Sequence, residues 1–134
     1  MSVAISREVA EAEVTAWLDF KKIFKSQREK DKDNIEILIE AICEGILVLD
    51  PETNCFTLNL MVPVGVDIIT TSLTFLARMN DKILKPYMIG LRAGDSIGYL
   101  NNYAAALTGA PKPLIESLDS SDKKIVMAIT SFFI

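Results

Sequence analysis

The sequence predicts an α+β fold: a single domain over residues 1–134, mostly helical, with a small antiparallel sheet packed against the helices. Three observations carry that prediction. Apolar residues recur at helical spacing through residues 6–46, and they alternate in a short β-type stretch from 46 to 61. Residues 95–134 then break into three short amphipathic helices separated by capping residues and prolines. A chain of 134 residues, 50% apolar and 24% charged, has the size and composition of one folded domain with its own core.

Residues 6–28 read as a long first helix. Ser6 can cap it, and Glu8 and Glu11 sit near its start, where the helix dipole favours acids. Ala10, Val14, Trp17, Leu18, Phe20 and Phe24 fall on one broad face, with Lys21 beside it. Lys30–Asp33 then forms a charged, solvated link. Asp33 and Glu36 make a capping-box-like start to a second helix, whose core face is Ile35, Leu38, Ile39, Ile42 and Ile46. On its other face Glu36, Glu40 and Glu44 line up at i, i+4 and i+8. Like charges at that spacing cost a few tenths of a kcal/mol per pair. The stripe is a candidate docking face for a basic partner, although a merely solvated face is the commoner meaning of such a pattern.

Ile46–Leu49, a turn over Asp50–Asn54, and the alternating Phe56, Leu58 and Leu60 predict a hairpin. Val62–Gly65 breaks the pattern, and Ile68–Leu76 can supply a third strand. Pro86 interrupts the helical pattern of Asp81–Leu91. Either that helix kinks there or a short turn precedes a helix starting near Pro86. Asp95 opens the next helix and Thr108-Gly109 closes it, with Ile97, Leu100, Ala104 and Leu107 on the predicted core face. Pro113 suits the first position of the following helix. Asp119 with Asp122 makes a capping-box-like start to the last one, whose core face is Ile125, Ile129, Phe132 and Phe133.

Chemistry is poorly provided for. The chain has no histidine, which removes the usual general base near neutral pH and the commonest metal ligand. No Walker-type loop, dinucleotide fingerprint or nucleophile elbow appears, and Gly90 and Gly94 are too sparse for a phosphate cradle. Helix capping accounts for the paired acids Asp119 and Asp122, and a half-buried helix flank accounts for Tyr99 and Tyr103. Cys43 and Cys55 read as reduced thiols. The sequence thus assigns no catalytic residue, no cofactor and no metal, and the expectation is a binding protein with no enzymatic activity.

Net charge is −4, and its distribution is uneven. Residues 34–72 hold six acids and no base, whereas residues 73–134 hold five acids and seven bases. No basic stripe with interleaved aromatics exists, so no nucleic-acid partner is expected. The acidic middle points to a protein partner. No apolar stretch approaches the roughly 18 residues of a membrane span. The N-terminal residues place acids where a signal peptide needs an apolar run, so a cytoplasmic location is expected.

With those residues in view, the C-terminal half resembles the phage tail assembly chaperones of tailed phages and prophages. The likeness begins at Leu73–Arg78 and tightens over Ala105-Ala106-Leu107-Thr108-Gly109. It continues through Ile115, Leu118-Asp119 and Asp122 to the closing aliphatic–aromatic helix, Ile125–Phe133. Each motif is also plain capping and packing grammar; their order and spacing carry the likeness. The first helix, residues 6–28, lies outside the pattern and reads as an arm added to a core over 33–134.

The resemblance implies a non-catalytic holdase that coats the tape measure protein and helps recruit tail tube subunits, with self-association as a further expectation. Its partner-binding candidates are Trp17 and Phe20 on the first helix, the Glu36, Glu40 and Glu44 stripe, and Phe132-Phe133. Two alternatives share this composition: a structural or completion subunit of a phage particle, and a small acidic chaperone of the secretion type.

Overall fold

The computed structural model describes residues 5–134. Helix α1 spans Arg7–Lys21, opened by Ser6, whose Oγ accepts the Val9 N–H at 3.3 Å. It is shorter than the predicted 6–28. Lys22 turns left-handed (φ 60°), and the chain restarts as α2 (Lys25–Lys30) at a new angle. Arg28 holds this elbow, donating from Nε to the Ile23 carbonyl at 2.9 Å and pairing with Asp19 at 2.8 Å. The elbow carries Phe24 off the core face, leaving it 78% exposed.

Only Asp31 separates α2 from α3 (Lys32–Cys43), so the predicted charged link is absorbed into helix. The predicted capping box of α3 does not form, because its N-cap, Asp31, makes no side-chain cap bond. Glu36 is instead drawn to Arg7 of α1, at 2.6 Å.

Strands β1 (Leu47–Asp50), β2 (Cys55–Val64) and β3 (Thr70–Thr74) form the antiparallel sheet, in the order β1-β2-β3. Leu47 faces Leu58, Leu49 faces Phe56 and Leu58 faces Leu73. These side chains are all buried, on the face that the helices cover. β2 runs on through Pro63, where a break had been predicted. The ladder with β3 is irregular between Asn59 and Val64, so a residue without an N–H is tolerated there. Strand β3 is shorter than predicted: Ile68 (85% exposed) and Ile69 (53%) lie before it, at the hairpin tip.

Pro86 sits within a 3₁₀ turn, Lys85–Met88, that continues the four-residue α4 (Asp81–Leu84). Helix α5 (Ser96–Thr108) is capped by Asp95, which accepts the Gly98 N–H at 2.8 Å. A Cβ at Gly98 would collide with that capping carboxylate. Gly109 (φ 70°) closes α5 in the left-handed conformation that glycine adopts without strain.

The buried stretch of α5 is Asn101–Leu107, and of its predicted core residues Ile97 is 73% exposed and Leu100 36%. The small side chains Ala104, Ala105 and Ala106 let β3, α6 (Lys112–Glu116) and α7 (Ser120–Thr130) approach the second half of the helix on several sides. Ile97 stands in the first turn, away from that packed half. The core joins Trp17, Leu38, Ile42, Leu58, Leu107 and Ile129 across both layers.

Candidate functional site

Helix α3 sets Ile37, Glu40, Ala41 and Glu44 at i, i+3, i+4 and i+7, a single stripe along one flank. Helix α7 sets Ser121, Lys124 and Ile125 opposite, and Ile46 and Met61 supply the floor and lip from the sheet side. Together these residues line an open groove of about 300 Å³. Ala41 and Ile125 are buried, Ile37 and Ile46 half-buried, and Met61 46% exposed. Glu40, Glu44 and Lys124 are exposed on the rims, and none forms an ion pair among the described residues. An apolar floor between charged rims with spare capacity suits an amphipathic segment.

The strand side of the groove is tied to α7 by Asp122, which the sequence had assigned to a capping box. Asp119 does cap α7, its Oδ2 accepting the Ser121 N–H at 3.0 Å. The Ser121 hydroxyl and N–H together hold the Asp119 carboxyl below the usual carboxylate range. Asp122 turns the other way. It is fully buried, and its two oxygens accept the Met61 and Val62 N–H groups at 2.9 and 3.0 Å. Strand β1 ends before Met61, so this carboxylate takes the place of the missing neighbour strand and ties β2 to α7. Its position in the first turn of α7 places the negative charge where the helix dipole is favourable.

The other sequence candidates fall into three groups. Glu36 is engaged by Arg7, whose guanidinium holds the Glu36 carboxyl below its ordinary range. This leaves Glu40 and Glu44 as the free members of the stripe. Trp17 is 1% exposed and Phe132 3%, so neither presents a surface to a partner. Trp17 packs against Phe56 at 4.9 Å between ring centroids, Phe132 at 5.8 Å and Phe133 at 6.0 Å. Tyr103 anchors the chain end to this cluster by donating its hydroxyl to the Phe133 carbonyl at 2.9 Å. Phe20 is half-buried beneath Arg78, whose guanidinium lies 4.3 Å from its ring centroid. Burial of Trp17 and Phe132 has a plain cause: both are large apolar rings, and Trp17 packs against both Phe132 and Phe56 of β2.

Lys21 lies over the Phe133 ring, 3.3 Å from its centroid. Burial, and then the charge of Arg78, lower its ammonium to about 8, while the ring's attraction works in the opposite sense. Between about pH 8 and the ordinary lysine value of 10.5, the unfolded chain holds a proton that the folded one has released. Wild-type stability should therefore rise with pH across that window relative to Lys21→Met. Urea unfolding of both proteins at pH 7 and pH 10 checks this, and a parallel response would show that Lys21 titrates normally.

Among the described residues no group of histidine, cysteine or carboxylate side chains is placed to hold a metal ion, and no helix is long and apolar enough to cross a membrane. Cys43 and Cys55 are both half-buried free thiols. Comparison with protein-family models, curated proteins and solved structures finds no match to this chain.

The groove was only partly visible in advance. The spacing of Glu40 and Glu44 marked one rim. Ile46, Met61 and Ile125 had been read as core or strand residues, and only the tertiary packing brings them together.

Proposed function

We propose that this protein is a non-catalytic phage tail assembly chaperone, holding the tape measure protein in the host cytoplasm while the tail is assembled. The groove between α3 and α7 is the observation that carries this reading. Its floor is apolar, and Glu40 and Glu44 line one rim of a protein that is acidic overall. The fitting occupant is an amphipathic helix with lysine or arginine beside its apolar stripe. The resemblance over Leu73–Phe133 supports the class of partner, a long helical chain that needs its apolar faces covered until assembly. A second apolar surface, Val66, Ile68 and Ile69 at the β2–β3 tip (93%, 85% and 53% exposed), suits self-association or contact with tail tube subunits.

The test is capture of bound proteins from phage-producing cells with the tagged chain, identified by mass spectrometry. A very long helical phage protein should be recovered, and less of it as salt is raised. The double substitution Glu40→Lys with Glu44→Lys should cut recovery at least about tenfold. Both residues are exposed, so stability should stay within about 0.5 kcal/mol of wild type. Recovery of a secreted effector would favour a secretion-type chaperone. Presence of the protein in mature particles would favour a structural subunit.

A further inference from the structure

Strand β3 is an open edge of the sheet: among the described residues no strand lies beyond it. The Phe75 N–H donates to the Phe56 carbonyl of β2 at 2.8 Å. By the alternation of an antiparallel ladder, Ser72 and Thr74 then point their backbone N–H and C=O groups away from β2. Past the strand the edge is taken, because Leu76 donates to the Leu107 carbonyl at the end of α5, at 2.9 Å. The free edge is therefore Thr70–Thr74. Proteins commonly guard such an edge with charge or proline. The opposite edge strand, β1, runs into Asp50 and Pro51, whereas residues 68–77 contain neither a charge nor a proline. Ile68 (85% exposed), Ile69 (53%) and Leu76 (40%) flank the bare edge with apolar surface.

We propose that a second copy of this chain closes the edge, the two β3 strands pairing antiparallel about a twofold axis with Ser72 opposite its own symmetry mate. A twofold interface needs a self-complementary surface, and this edge supplies one. Centring on Ser72 uses the whole free strand, with Thr70 opposite Thr74 of the second copy, so the outward backbone groups of each copy satisfy those of the other. Thr74 already meets Thr57 on the solvent face, at 3.1 Å between hydroxyls; the join extends that row of hydroxyl side chains and brings no like charges together. Charge favours a second copy over a foreign strand. Residues 34–72 hold six acids and no base, and bases resume at Arg78, so the chain changes sign beside the axis. Antiparallel pairing sets Asp67, ahead of β3 in one copy, towards the end of the strand where the other carries Arg78. Both residues are exposed; Arg78 donates to the Phe20 carbonyl, and neither forms an ion pair among the described residues. The same pairing sets Ile68 and Ile69 against the Leu76 segment of the second copy. This surface is separate from the α3–α7 groove and does not depend on what fills it.

Sedimentation velocity of the full chain should show monomer giving way to dimer between about 1 and 100 μM. Ser72→Lys sets like charges opposite one another and should weaken the dimer at least about tenfold. Ser72 is exposed, so the circular dichroism spectrum of that variant should match the wild type. A cross-link tests the register itself. Opposed residues in such a pair have Cα atoms about 5.5 Å apart, within reach of a disulfide. With copper phenanthroline as oxidant, Ser72→Cys should give a covalent dimer whose linked peptides, by mass spectrometry, join residue 72 to itself. Asn59→Cys lies opposite Ser72 on β2, exposed but one strand further from the axis, and should stay unlinked. So should the wild type, with its half-buried Cys43 and Cys55. A chain that stays monomeric at the highest concentration leaves the edge to a strand from another protein and overturns the proposal. A dimer that Ser72→Lys leaves intact, equal linking by Ser72→Cys and Asn59→Cys, or growth past the dimer into open-ended assemblies would each overturn it too.

Discussion

Trp17→Ala is expected to destabilise the protein by about 3–5 kcal/mol, the range for truncating a large buried aromatic. Trp17 is 1% exposed and touches rings from β2 and from both phenylalanines near the chain end, so its removal opens a cavity where the two layers meet. A loss of that size lowers the melting temperature of a domain this long by on the order of 10 °C or more. Trp17→Phe keeps much of the contact and should cost less than half as much. Phe132→Ser should resemble Trp17→Ala, because it combines a cavity with a buried hydroxyl. Thermal unfolding followed by circular dichroism measures all three. The alternative role, a partner contact, makes an opposite forecast: stability near wild type with capture of the proposed partner lost. That result would return Trp17 to the binding surface.

What could be read from the sequence follows the range of the forces involved. Signals written within one turn or one hairpin survive folding where no distant partner competes for the residue. Ser6, Asp95, Gly109 and Asp119 cap the helices they were expected to cap. The alternation of Phe56, Leu58 and Leu60 gives the sheet its buried face. Features decided by distant partners could not be read that way. Glu36 has a local use as a capping residue, but Arg7, 29 positions away, offers a charge-assisted bond instead. Lys22 carries no sequence mark of a left-handed turn; the bonds from Arg28 to Ile23 and Asp19 hold the elbow that follows it. Ile97 has helical spacing consistent with burial, yet it lies in the first turn, outside the packed half of α5. In the candidate groove, one rim was legible as a glutamate stripe, whereas the floor needed three segments to meet. Nothing local distinguishes Ile125 as groove lining from Ile129 as core.

Asp122 tests that division most sharply, because the local and tertiary uses of the residue predict different costs. If it served only the start of α7, replacing it with Ala would cost about 1 kcal/mol, like loss of an ordinary helix cap. Its geometry forecasts more. Asp122→Ala leaves two N–H groups of β2 without their acceptor, in a site where the carboxylate has no exposure. Charge-assisted bonds contribute about 1.5–3 kcal/mol each, so the expected loss for the two is about 3–6 kcal/mol. Asp122→Asn keeps one acceptor but turns an amide N–H towards a backbone donor, and should cost an intermediate amount. Asp119→Ala, an exposed cap on the same helix, is the internal standard at about 1 kcal/mol. Denaturant unfolding ranks the three variants. Hydrogen exchange locates the damage: the Met61 and Val62 amides, bonded to Asp122 in the wild type, should exchange faster in Asp122→Ala than those of Leu58 and Phe56 in the paired part of β2. The groove should loosen with them, because Met61 forms its lip and Ile125 lies one turn from Asp122 on α7. An Asp122→Ala penalty no greater than that of Asp119→Ala would mean that β2 is held without this carboxylate, and that the groove owes its shape to side-chain packing alone.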